Sequence, residues 1–120
     1  MSFSTDRLTL INKRLVVPTP AFFAENDIES IMNAVLDTVG KKHCDLVIID
    51  MSSTEYLDSL EFASLLQIAQ MVQVMGPQVV LSGLRAGVVR FLIEQSIDMH
   101  GIPVFRDVED ALDSKGIRAL

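Results

Sequence analysis

The sequence predicts an α/β domain: a mixed, mostly parallel sheet of four to five strands with about four helices, in the order ββαβαβαβα. Three observations carry that prediction. Residues 46–49 (Leu-Val-Ile-Ile) and 79–81 (Val-Val-Leu) are continuous apolar runs, the mark of strands buried on both faces. Stretches with helical periodicity or apolar character separate such runs, and parallel strands require crossover connections of that length. The chain has 120 residues, enough for one domain with its own core, so residues 1–120 are read as a single unit.

The elements follow in order. Residues 8–11 and 14–17 are short β-rich runs, and Asn12-Lys13 between them fits a two-residue hairpin turn. Pro18 and Pro20 end the second strand. Ile28, Ile31, Met32, Val35, Leu36 and Val39 recur as one face of an amphipathic helix. Asn26 with Glu29 is expected to cap its start, and Gly40 to stand just past its end. Asp50 closes the third strand. A helix is expected over about residues 59–75, stopped by Gly76-Pro77, and then the strand at 79–81. A further helix over about residues 86–96, a short strand at 103–105 and a last helix capped by Asp107 complete the chain.

Composition excludes several functions. Sixteen acidic residues against ten basic ones give a net charge of −6, unsuited to nucleic acid or an anionic membrane surface. The stretch 62–84 lacks charge, but four glutamines and Gly76-Pro77 interrupt it, so no membrane insertion is expected. Cys44 is the single cysteine and reads as a buried small hydrophobe. His43 and His100 lack zinc-ligand spacing. Neither a glycine-rich phosphate loop nor a Ser-His pairing occurs, and Asp50 lacks the acidic pair of a receiver domain. The expectation is a cytoplasmic protein that is not an enzyme and uses no cofactor or metal.

The informative segment runs from Asp50 to Leu60. A buried strand ends, a loop follows, and Asp58-Ser59 opens a helix. With Asp58 as N-cap, Glu61 falls at the third helical position and completes a capping-box arrangement. Ser59 then occupies the first helical position with its hydroxyl free to face solvent. The polar residues of this helix, Glu61, Ser64, Gln67, Gln70 and Gln73, recur every third position, and Glu61 is its one charge. A surface helix ordinarily carries a charged face, so part of this one is expected at a protein interface.

These pieces resemble the STAS domain of bacterial anti-sigma-factor antagonists. The resemblance rests on Val47-Ile48-Ile49-Asp50, Leu57-Asp58-Ser59, the run from Met75 to Leu84 and the helix that follows. The chain length and Val79-Val80-Leu81-x-Gly83 are most similar to the short scaffold proteins of the stressosome. The resemblance implies a STAS-like fold and Ser59 as the acceptor of phosphate from a serine/threonine switch kinase of the anti-sigma type. Asp58, Leu60 and Glu61 beside it are the expected partner-binding residues, and Arg85, in the loop after the next strand, is expected at the same end of the sheet, in reach of the phosphate or a kinase carboxylate. Leu60-Glu61-Phe62 departs from the Gly and Ser that many antagonists carry after the acceptor. Related STAS proteins in a homo- or hetero-oligomer are further expected partners. Two alternatives belong to other classes: an accessory subunit of a lipid or ion transporter, and a small-ligand-sensing STAS module.

Overall fold

The computed structural model describes residues 7–114. Strands β1 (Thr9–Ile11) and β2 (Arg14–Pro18) form an antiparallel hairpin, with Ile11 in register with Arg14. Asn12 and Lys13 make the turn at φ of 49° and 66°. Both lie in the left-handed region, which costs a non-glycine residue such as Lys13 about 1–2 kcal/mol. The Lys13 carbonyl is held by the Asp45 N–H at 2.7 Å, and this bond ties the turn to the entry of β3.

Strands β2, β3 (Leu46–Asp50), β4 (Gln78–Ser82) and β5 (Val104–Phe105) are parallel, and the sheet order follows the chain order. Right-handed crossovers that always step in one direction place their helices on one face. Helices α1 (Asp27–Lys41), α2 (Ser59–Val74) and α3 (Ala86–Glu94) accordingly share a core with Leu15, Val17, Val47, Ile49, Val79 and Leu81. Helix α4 (Val108–Asp113) covers the other face, where Ala111 packs with Leu46, Ile48 and Val80. Residues 46–49 are therefore buried from both sides, as their apolar run requires. Arg14 Nη1 donates to the Leu112 carbonyl at 2.8 Å and fastens the end of α4 to β2.

Both expected caps of α1 are corrected. Asn26 stands at φ 74° and its side chain makes no cap hydrogen bond. Side-chain capping works from an extended backbone, and the left-handed turn at Asn26 departs from it. Asp27 takes over: its carboxylate accepts the Ala24 N–H at 2.7 Å while its own N–H donates to the Ala24 carbonyl at 3.1 Å. Gly40 lies inside the helix, because the ladder continues until the Lys42 N–H bonds the Thr38 carbonyl. Helix α3 stops at Glu94, short of the expected 96, where Ser96 turns left-handed at φ 51°.

Cys44 is 8% exposed, and burial, followed by the neighbouring Asp45, pushes its thiol pKa up. It is a packing residue. One side of α2 packs into the core through Phe62, Leu65, Leu66, Ile68, Ala69 and Val72, and the opposite side is open.

Candidate functional site

The carboxyl ends of β2, β3 and β4 converge, where parallel sheets characteristically place their ligand sites. The loop from Met51 to Leu57 is fixed there by a dense set of bonds. The Met51 N–H donates to the Ser82 carbonyl at 2.8 Å, and the Ser52 N–H to the Asp50 carboxylate at 3.0 Å. Thr54 is fully buried; its hydroxyl donates to the Pro20 carbonyl at 2.7 Å and meets the Thr19 hydroxyl at 2.5 Å. The Glu55 N–H reaches the Ala21 carbonyl at 3.0 Å, which draws the loop after β2 against this one. Leu57, 2% exposed, anchors the loop in the core just before α2.

Helix α2 opens as its sequence predicts. The Asp58 carboxylate accepts the Glu61 N–H at 2.7 Å, and the Glu61 carboxylate accepts the Asp58 N–H at 2.9 Å. Each acid satisfies the other's orphan donor, so the helix start needs nothing from Ser59. Ser59 is exposed at the first helical position, and no hydrogen bond of its hydroxyl is found among the described residues. Asp58→Ala is expected to cost about 0.5–2 kcal/mol through loss of the cap. Thermal melts check it: an unchanged midpoint would contradict the capping role.

Leu60 follows Ser59 and is 76% exposed. Arg85, the N-cap residue of α3, reaches the same loop: its Nε–H donates to the Ser52 carbonyl at 2.9 Å. Asp58, Ser59, Leu60 and Glu61 thus occupy one helical turn, and Arg85 lies at the same end of the sheet with no bond to Ser59.

Other contributors carry no local sequence signal as strong. Thr19 and Thr54 lock the loop, and neither carries a motif. Gly83 stands at φ +72°, and a Cβ there would lie 2.9 Å from the Ser52 Cβ. Its position two residues past an apolar strand was the available signal. Phe22 and Tyr56, 61% and 59% exposed, project from the two loops that Ala21 joins. Aromatic residues in polar or proline-flanked loops could have marked them. Among the described residues no group of three or more His, Cys, Asp or Glu could hold a metal ion. None of their helices is long and apolar enough to cross a membrane.

The sequence profile of the STAS domain matches residues 12–111. The chain belongs to the STAS domain family. Among solved structures it is similar to a variant of RsbS from Moorella thermoacetica, with a TM-score of 0.79 and 19% identity over 94% of this chain and 97% of that one. It is similar to a chain of the stressosome, described as a signal integration and transduction hub (TM-score 0.74, 19% identity, 93% of this chain and 97% of that one). It is also similar to the Bacillus cell fate determinant SpoIIAA in its phosphorylated form (TM-score 0.68, 12% identity, 88% of this chain and 95% of that one). At these identities the likeness establishes the fold. A comparison with curated protein sequences gives no match.

Proposed function

We propose that the protein is a phosphorylation-switched binding scaffold of the anti-sigma-factor-antagonist and stressosome type, and that Ser59 accepts phosphate from a serine/threonine switch kinase. The observation that carries this reading is the division of labour at the start of α2. Asp58 and Glu61 close the cap, which leaves the Ser59 hydroxyl exposed on a rigid turn. The hydroxyl oxygen attacks the γ-phosphorus of the kinase's ATP, its proton passes to a base of the kinase, and ADP departs. The protein supplies the acceptor and a surface, and acts as a cytoplasmic binding partner in place of an enzyme.

Phosphate adds about −1.5 to −2 charge at this position. A helix N-terminus tolerates an anion, so the fold persists. Asp58 and Glu61 already make the turn acidic; the phosphate deepens that charge, and a partner surface fitted to the small neutral hydroxyl must then accommodate a bulky dianion and strip its hydration. Leu60, Phe22 and Tyr56 are exposed and offer that partner apolar anchors. Arg85 offers it a cation for a carboxylate. The reading supports related STAS proteins as assembly partners in the manner of the stressosome.

Calorimetric titration of the partner kinase tests the switch. The phosphorylated protein is expected to bind at least about tenfold more weakly than the unmodified protein, a difference of roughly 1.4 kcal/mol. Equal affinities would contradict it.

A further inference from the structure

We propose that the outer edge of β1 is a docking site for an extended acidic segment of a partner protein, which joins the sheet as a further strand. Strand β1 ends the sheet, and β2 is its one neighbour among the described residues. All three of its residues are exposed, so neither helical layer covers it. Leu10 and Ile11, on opposite faces, are 42% and 41% exposed, and an added strand would shield both.

The ladder fixes which main-chain groups are free. Asn12 and Lys13 form a two-residue turn with both residues left-handed, and such a turn closes on a hydrogen-bonded pair, here Ile11 with Arg14. Bonded and non-bonded pairs alternate along an antiparallel ladder. Leu10, opposite Leu15, therefore aims its N–H and carbonyl away from β2, toward the open edge. An incoming strand takes both groups.

Charge identifies the occupant. Residues 7–24 contain Arg7, Lys13 and Arg14 and no acidic residue, in a chain of net charge −6. Arg14 is drawn inward to the Leu112 carbonyl. Arg7 and Lys13 are exposed, two residues before β1 and two residues after it. The chain between them spans at most about 20 Å at ~3.3 Å per residue. An extended segment of about that length, with carboxylates near its two ends, meets a cation at each end and main-chain partners at Leu10. The same two residues disfavour a second copy in this place. Two β1 edges paired antiparallel about Leu10 would set Arg7 against Lys13 at both ends, and like charges opposed across a ladder destabilise it. A nucleic-acid backbone needs a larger basic footprint than these two side chains provide.

Nuclear magnetic resonance titration of the isotope-labelled full chain tests the site. The probe is an eight-residue peptide of alternating glutamate and valine, capped at both ends, and the matching lysine–valine peptide is its control. The glutamate peptide is expected to shift the amide signals of residues 8–14 and to slow hydrogen exchange at Leu10. The lysine peptide should bind at least about tenfold more weakly. Leu10→Pro removes the outward N–H and leaves the β1–β2 ladder intact, because proline is tolerated on an edge strand. It should weaken the glutamate peptide about tenfold. Arg7→Glu with Lys13→Glu should reverse the preference in favour of the lysine peptide. Circular dichroism checks the fold of each variant, and if Leu10→Pro unfolds, the charge reversal decides alone. None of these readouts involves Ser59, so the outcome is independent of the phosphorylation reading. Equal binding of the two peptides, shifts confined to other parts of the chain, a folded Leu10→Pro that binds like wild type, or an unreversed preference would each overturn the proposal. So would a Leu10 amide already protected in the free protein, or one whose protection rises with protein concentration alone.

Discussion

Ser59→Ala is expected to abolish phosphate transfer from the partner kinase while leaving stability within about 1 kcal/mol of wild type. The two halves of that expectation have separate causes. Phosphate needs a nucleophilic oxygen, and alanine has none. Stability is spared because Asp58 and Glu61 hold the helix start and alanine is the best helix former. Neighbouring hydroxyls sharpen the comparison. Thr54 is fully buried with its hydroxyl bonded to Pro20 and Thr19, so it cannot reach a kinase without unfolding the loop. Ser52 and Ser53 are exposed, and their alanine variants are expected to keep wild-type incorporation. Radiolabel incorporation at the wild-type rate into Ser59→Ala would assign the acceptor elsewhere.

Gly83→Ala is expected to lose about 2–4 kcal/mol. The backbone at φ +72° is left-handed, and the new Cβ would lie 2.9 Å from the Ser52 Cβ and 3.1 Å from the Ser52 nitrogen. Neither contact involves a flexible side-chain end, so the loop itself must shift. That shift strains the Ser52 carbonyl, which receives Arg85, and the Ser52 N–H, which reaches Asp50. Gly87→Ala is the control: it lies inside α3, and a Cβ there meets nothing within 4 Å. It should gain about 0.5–1 kcal/mol from helix propensity. Urea denaturation of both variants checks the pair, and equal midpoints would contradict the close approach at Gly83.

The elements legible in the sequence were those whose cause is local. Four consecutive apolar residues at 46–49 announced a strand covered on both faces, and it is so covered. The Asp58 and Glu61 spacing announced a capping box because both partners sit within one turn. Asn26 and Glu29 carried a similar spacing and misled. There the loop before α1 decides the outcome, through a left-handed residue and the Asp27–Ala24 bonds. Gly40 misled for a related reason: a glycine ends a helix only where the chain needs to turn left, and the α1 ladder runs on to Lys42. Thr19 and Thr54 lie thirty-five positions apart, and only the parallel pairing of β2 with β3 brings their hydroxyls together. The position of Arg85 was legible because strand order alone places every loop after a parallel strand at one end of the sheet, where its guanidinium meets the Ser52 carbonyl.

Whether Ser59 receives the phosphate is decided by mass mapping. The full-length protein is incubated with ATP and each candidate serine kinase encoded in its own genome, and the phosphorylated peptide is sequenced. A single phosphate on Ser59 is expected, delivered by a kinase that also binds the unmodified protein. Phosphate on a different residue, or none from any kinase that binds the protein, would contradict it.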